Sequence, residues 1–448
     1  MEQQHMFTNR MIRNLLVPVV LEQILNSIMG TADTMMVSNV GSAALSAVSL
    51  VDSINVLLIQ AFSALAAGGA IVCAQYIGQR NYEKANMSAR QVLFIITAIS
   101  VVVSAVCLIF QKPLLRLIFG AVDADVMRAS ETYFFFTALS FPFIAAYDSA
   151  ASIFRAQENT KGPMTISMIS NIMNIGGNAI LIFVLGMGVE GAAISTLVSR
   201  IFCAIVVIWQ LRNDNAPICI RNYFSIRPDW YLIKKILFIG IPSGIENSMF
   251  QFGKLAIQST VSTLGTVAIA AQAMTNILEN LNGIAAIGIG IGLMTVVGQC
   301  LGAGRKDEAI YYIKKLSWLS EAVIIASCLL VFALTKPITM LAGMEPASAK
   351  LCFFMISFIT IVKPVSWVLS FIPPYGMRAA GDVKFSMITS CCTMWLCRVS
   401  LCIYLCRVWG FGPIAVWIGM FSDWTLRAII FSIRFHSRKW LNHRVIEK

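Results

Sequence analysis

Charge is scarce in this sequence. Only 12% of its 448 residues are charged and 58% are hydrophobic, whereas a soluble domain carries about a quarter charged residues. That leaves too little polar surface to cover one water-soluble core or several. A soluble enzyme, a nucleic-acid-binding domain and a secreted disulfide scaffold are all excluded on this ground. Histidine is nearly absent: His5, His436 and His443 all lie near the ends. The 12 cysteines show no zinc-site spacing, and most, Cys73, Cys107, Cys203 and Cys328 among them, sit inside apolar runs. Buried, reduced packing cysteines are therefore expected, with neither a structural metal nor histidine-based catalysis. A Walker A motif and a nucleophile elbow are also missing, so ATP hydrolysis and acyl transfer have no site and no enzyme is expected.

What the sequence has instead is long hydrophobic runs. A helix needs about 20 mostly apolar residues to cross a bilayer. Twelve such runs are present, near 14–38, 46–74, 91–111, 131–153, 163–185, 190–210, 236–262, 270–298, 309–335, 349–373, 384–406 and 411–435. The first follows a short charged leader without a signal-peptide core and is expected to be retained. The fold class predicted is an all-α integral membrane protein of twelve transmembrane helices. Lys and Arg placement sets the orientation. Of the 34 such residues, the expected outer loops hold only Lys112, Arg116, Arg128, Lys336, Lys350 and Arg407. Arg200, Lys254, Lys363, Arg398 and Arg427 fall inside spans. The rest, Arg444 and Lys448 included, lie in segments that this bias assigns to the cytoplasm, with both termini inside. The net charge of +12 thus reads as an orientation signal that touches membrane lipid, with no nucleic-acid partner.

The two halves superpose on each other at an offset of 224 residues, which sets Pro18 on Pro242. Glu22 then meets Glu246, Gly41 meets Gly265, Gly68 meets Gly292, and Gln75 and Gly78 meet Gln299 and Gly302. Further on the register slips by one, and Arg155-Ala156 meets Arg378-Ala379. Six spans per half make the second copy parallel to the first. The expectation is two pseudo-symmetric six-helix lobes: an N-lobe over 1–211, a cytoplasmic linker over 212–235 and a C-lobe over 236–448. Transporters rock such paired lobes around a midplane site.

Ionisable groups inside spans are costly and mark function by default. The acidic ones are Glu22, Asp33, Asp52, Glu246, Glu279, Glu321 and Asp423. Asp423 and Arg427, four apart, are expected to neutralise each other on one helix face. Asp148 and Arg155 read as interfacial, and Arg200 as snorkelling to the cytoplasmic surface. Glu22 and Glu246 each follow a proline by about one turn, beside the backbone carbonyl that the proline frees. That setting suits a proton or cation, and equally a symmetric structural contact. Asp33 lies on roughly the same face as Glu22 and reads as a buried proton or cation ligand. Asn171, Asn174 and Asn178 form one polar stripe, which either knits helices together or lines a wet cavity.

Met29-Gly-Thr-Ala-Asp33-Thr-Met-Met-Val-Ser38, Gln75-Tyr-Ile-Gly78 with its echo Gln299-Cys-Leu-Gly302, Phe154–Met164 and Gly188–Thr196 together resemble the multidrug and toxic compound extrusion (MATE) family over nearly the whole chain. The resemblance implies a Na⁺ or H⁺ antiporter, without a cofactor, that exports cationic or amphiphilic organic compounds by alternating access. It implies a monomer in the cell membrane, the bacterial inner membrane being expected. It assigns coupling to the position of Asp33, with companions at Asn174, Asn178 and Thr196 and with Glu22 added from the reading above. A Na⁺ held by Asp33, Asn174 and Asn178 is favoured, because amide and hydroxyl oxygens stand beside a single carboxylate. The asparagine at 178 is NorM-like, where DinF-like members carry aspartate. In the C-lobe, the acidic positions of NorM-like members fall on Phe250 and Trp367, and Glu246 and Lys363 lie one turn earlier. These two are expected to face each other as a charge pair, within a polar site that also includes Glu279 and Arg398. The competing reading is a lipid-linked oligosaccharide or lipid flippase of the same superfamily, which the cations Lys254, Lys363 and Arg398 keep open.

Overall fold

The structure, a computed structural model, describes residues 5–120, 122–223, 226–443 and 445–446. Arg444 and Lys448, counted above among the inner charges, lie outside the described residues. The chain is 86% helical and has no strand among the described residues. Helices α1 (Asn9–Ser38), α2 (Ser42–Gly78) and α3 (Tyr82–Ile109) are followed by the short α4 (Gln111–Phe119), then α5 (Ala124–Leu139) and α6 (Phe141–Ala156). α7 (Lys161–Asn178) continues as a π-helical stretch over Ala179–Val184 and leads to α8 (Gly188–Gln210). The second half holds α9 (Trp230–Val261), α10 (Thr266–Gly302), α11 (Lys306–Leu341) and α12 (Pro346–Ala379). α13 (Val383–Cys392) passes through a π-helical stretch, Thr393–Val399, into α14 (Ser400–Arg407), and α15 (Ile414–His436) ends the series.

Ten of these stretches are long and apolar enough to cross a membrane. The fourth expected span is bent: α5 and α6 meet at 42° and together make an eleventh. Pro142 explains the break, since it sits in the first turn of α6 and cannot donate to the ladder of α5. α9, 32 residues long, is the twelfth long helix, made less apolar by Lys234, Lys235, Glu246 and Lys254. Each of the twelve expected runs falls on one of these. Large apolar side chains such as Val102, Ile109, Leu185, Leu330, Ile361 and Val365 are exposed, as a lipid-facing surface requires. All 12 cysteines are free, and eight of them, Cys73, Cys300 and Cys402 included, are buried.

The chain divides into two compact units: Arg10–Gly244, and the residues up to Asn9 joined with the chain from Ile245 onward. The division falls inside α9, downstream of the segment 212–235 expected as the linker. The reason is visible in the first unit, where that segment is tied to α3. Gln91 donates to Arg227 O at 2.8 Å and accepts from Asp229 N at 3.1 Å, and Asn86 accepts from Cys219 N at 2.8 Å. The start of the chain packs with the second unit: Tyr312 Oη of α11 accepts from Phe7 N and donates to Phe7 O.

The repeat survives in three dimensions. α2 and α10, both 37 residues, each begin after a glycine at positive φ, Gly41 at 143° and Gly265 at 95°. Side chains rarely adopt that backbone, so the tight turn into each second helix needs glycine. The fifth span of each half carries a π-helical stretch. Within the first unit α2 and the start of α9 touch backbone to backbone. A Cβ on Gly68 would lie 2.7 Å from Gly240 N, and one on Gly240 would lie 2.8 Å from Leu65 Cα. Gly68→Ala is therefore expected to lower stability by about 1–3 kcal/mol through overpacking, read as a lower melting temperature in detergent. Gly244→Ala, whose Cβ meets nothing closer than 4.0 Å, is the control and should melt as wild type. Equal behaviour of the two variants would refute the close approach.

Candidate functional site

In the first unit, two polar stripes face each other across α1 and α7. Asn26 and Asp33 are about two turns apart on α1, and Asn171 and Asn178 are about two turns apart on α7. Asn26 Oδ1 accepts from Asn171 Nδ2 at 3.1 Å and from Ser167 Oγ at 2.8 Å. Asp33 Oδ1 accepts from Asn178 Nδ2 at 2.6 Å. In the amide orientation that satisfies its neighbours, Asn174 donates to Asp33 at 2.6 and 3.1 Å and turns its oxygen to Thr196 Oγ1 at 3.3 Å. Asp33, Asn174, Asn178 and Thr196 thus form one cluster, with Asn174 and Asn178 buried. Asn178 Oδ1 has no donor. The backbone leaves α-helical pairing directly after Asn178, and π-helical turns of this kind recur at functional sites.

Glu22 is not part of that cluster. It is buried about three turns away, where its Oε1 accepts from Tyr147 Oη at 3.1 Å and its Oε2 lies 3.6 Å from Arg155 Nη1. Arg155, expected at the interface, is thereby the counterion of a buried carboxylate. Arg200 does not snorkel: at mid-length of α8 it donates to Ser140 Oγ at 2.7 Å, at the α5–α6 bend. Two further carboxylates, Asp52 expected inside a span and Asp148 expected at the interface, had no partners assigned from the sequence. Asp52 accepts from Asn55 at 3.1 Å and Tyr133 at 3.2 Å, and Asp148 accepts from Ser63 at 2.5 Å. The Ser63 and Tyr133 partners come from other helices at separations of 85 and 81 residues, which no local spacing reveals.

In the second unit the expected Glu246–Lys363 pair does not form. Lys363, fully buried, reaches across to α10, where its Nζ lies 2.6 Å from Glu279 Oε1 and 3.0 Å from Glu279 O. Glu246 pairs with Arg378 Nη2 at 2.7 Å. Lys363 and Arg378 are both on α12, but their separation of about four turns, some 22 Å, puts them at different depths. Each carboxylate meets the cation at its own level. Arg398 Nη2 lies 2.6 Å from Asp423 Oδ2, and Arg427 Nη2 lies 3.1 Å from Asp423 Oδ1. The expected i, i+4 pair on α15 is therefore present and has a second guanidinium attached. Aromatic rings lie between these ions: Phe250 is within 5.0 Å of Lys254 and 4.9 Å of Arg398, and Trp367 within 5.3 Å of Lys363. The aromatic residues at 250 and 367, where acidic ones were the reference, are thus seats for cations. Glu321 on α11 makes no ion pair among the described residues.

The profile of the MatE family matches residues 18–180 and again 242–404. The chain belongs to the MatE family. The two matched segments begin at the two prolines of the repeat, and members of the family are transporters, not enzymes. An uncharacterized transporter of Bacillus subtilis, YisQ, is 26% identical over 95% of this chain and 93% of its own length. A probable multidrug resistance protein NorM of Thermotoga maritima is 23% identical over 97% and 93%. The fold agrees with that of a multidrug resistance MATE family transporter of the MOP superfamily in an outward-facing conformation, with a TM-score of 0.89, 19% identity and coverage of 96% and 95%. For this MatE chain the duplicated scaffold explains the two Glu–Arg pairs. Glu22 and Glu246 are repeat partners, and so are Arg155 and Arg378, and each lobe repeats the same buried ion pair. Removing one member strands a buried charge, at a cost on the order of 3–5 kcal/mol. Arg378→Ala should therefore melt well below wild type, and Glu246→Gln/Arg378→Gln should recover much of the loss. A double variant no more stable than the single one would show that the pairing is not what holds this region.

Proposed function

We propose that this MatE transporter is a cation-coupled antiporter that exports amphiphilic organic compounds, including drugs, by alternating access. In this reading it works as a monomer in the cell membrane, with both termini in the cytoplasm. Na⁺ is the favoured coupling ion. The supporting observation is the orphaned Oδ1 of Asn178 beside the Asp33 carboxylate. Asn178 gives its Nδ2 to the carboxylate and leaves its Oδ1 without a donor; with that amide turned over, a hard cation would be met by both the carboxylate and the amide oxygen. Thr196 Oγ1 stands 3.3 Å from the Asn174 amide, and a half-turn of that amide would bring its oxygen to Asp33 as a further ligand. A proton on Asp33 would neutralise the carboxylate and leave the amide oxygen unmet.

Coupling then follows from differential binding. Na⁺ draws the Asp33 carboxylate of α1 towards the amides of α7, and this favours one conformation of the lobe. The organic substrate must favour the other, or the gradient drives nothing. The cationic drugs that the resemblance implies suit the acidic N-lobe, and the C-lobe has the opposite polarity. Neither feature requires chemistry on the substrate, so the cycle consists of binding, rearrangement and release.

Proteoliposomes with an imposed Na⁺ gradient at fixed pH provide the test, with ethidium as the transported dye. Wild-type protein should move ethidium against its gradient when Na⁺ is driven in the opposite direction. Asp33→Asn should lose that movement at least tenfold, and Asn178→Ala should raise the Na⁺ concentration needed. Movement that is identical when K⁺ replaces Na⁺, and that follows an imposed pH gradient, would end the Na⁺ reading.

A further inference from the structure

We infer that the C-lobe carries a binding site for an anionic group, a carboxylate or phosphate, attached to an aromatic substrate, with Lys254 and Arg398 as its cations and Phe250 as its aromatic floor. The inference rests on the exporter reading and adds a second class of cargo to the cationic compounds proposed above.

The local charge does not balance. Lys254, Lys363, Arg398 and Arg427 are set against Glu279 and Asp423, and the other carboxylate near them, Glu246, is already taken by Arg378. Glu279 is held by Lys363, and Asp423 is shared by two arginines. Lys254 is the cation left over. It lies within the seventh span, is exposed, and has no carboxylate within ion-pair distance among the described residues. Its Nζ lies over the Phe250 ring at 5.0 Å, and Glu279 and Arg398 are charged groups whose fields reach it. A cation–aromatic contact does not replace a counterion inside a membrane-spanning bundle.

Arg398 supplies the second, independent observation. It is 1% exposed, and while Nη2 lies 2.6 Å from Asp423 Oδ2, Nε has no acceptor. A buried guanidinium with an unmet N–H is matched to a further carboxylate or phosphate oxygen. It sits on the π-helical stretch Thr393–Val399, against the same Phe250 ring that Lys254 contacts.

The repeat puts this site where it would act. At the 224-residue offset Phe250 occupies the place of Asn26, Lys254 that of Gly30 and Ile257 that of Asp33. The helix register that carries the acidic cluster in the first lobe therefore carries an aromatic ring and a cation in the second. Both registers face the fifth span of their own lobe: Asn26 and Asp33 meet α7, and Gly253 packs on Met394 and Val399 of the π-helical stretch.

Equilibrium dye binding to the purified full-length protein in detergent tests this without any ion gradient. Fluorescein, which bears a carboxylate, is compared with the cationic rhodamine 123 on the same ring frame. Flavin mononucleotide is compared with riboflavin, which lacks the phosphate. Wild type should bind at least one anionic member ten or more times tighter than its partner, and which pair shows the preference identifies carboxylate or phosphate. Lys254→Met, which keeps the apolar stem, should remove that preference; Lys254→Arg should keep it; Lys254→Glu should reverse it in the fluorescein–rhodamine pair. Asp33→Asn should bind the anions as wild type does, so a protein that fails to couple Na⁺ still reports on this site. Wild-type binding that ignores charge in both pairs, or a preference unchanged in Lys254→Met, overturns the inference.

Discussion

A charge taken out of water must find its opposite within the protein, and the architecture of this chain is arranged around that requirement. Glu22 with Arg155 and Glu246 with Arg378 are the plainest case: a carboxylate one turn past a proline in the first helix of each lobe, met by an arginine near the end of a later helix. Each proline removes a backbone donor from its helix, and the ion pairs tie that helix to others of its own lobe. Because both copies of the repeat keep this device, its role is to hold the scaffold. The coupling chemistry proposed for the first lobe is placed elsewhere, at Asp33.

Much of this fold was legible in the sequence because a bilayer imposes a one-dimensional rule. Span positions depend on local hydropathy, and all twelve expected runs fall on long helical stretches. The repeat was legible for a different reason: glycines and prolines at turns, such as Gly41 and Gly265, are held by backbone conformation, so they persist when apolar side chains drift. The bend at Ser140 was not foreseen, although Pro142 stood in the middle of an expected span. A proline signals a break but not how far the chain turns.

The site was legible only in part. The amides of α7 were identified as a stripe by their spacing, and the facing stripe on α1 could have been found by asking what lies two turns from Asp33. Glu22 was grouped with Asp33 by helical periodicity, but about three turns of rise separate two residues as surely as a different helix does. The expected Glu246–Lys363 pair failed for a related reason. Both residues sit one turn before positions of interest, and that argument concerns register along each helix. Depth in the bundle decides ion pairs, and depth places Glu279 beside Lys363 and Arg378 beside Glu246.

The two lobes share a backbone plan and have opposite polar contents. In the first, Asp33, Asp52 and Asp148 are held by amides, a tyrosine and a serine, neutral donors that leave the negative charge in place. In the second, arginines and lysines outnumber the carboxylates that meet them, and aromatic rings fill the space between. A duplicated scaffold whose copies were under the same demand would keep the same charges at the same register, as the Glu–Arg pairs do. Where register is kept and the side chains differ, with Phe250 in the place of Asn26, Lys254 in that of Gly30 and Ile257 in that of Asp33, the two copies answer, in the reading proposed above, to different ligands. In that proposal a coupling cation and the acidic group of a carried compound are two ligands of opposite sign, and one lobe for each would let a single transporter bind both without their charges competing for the same residues.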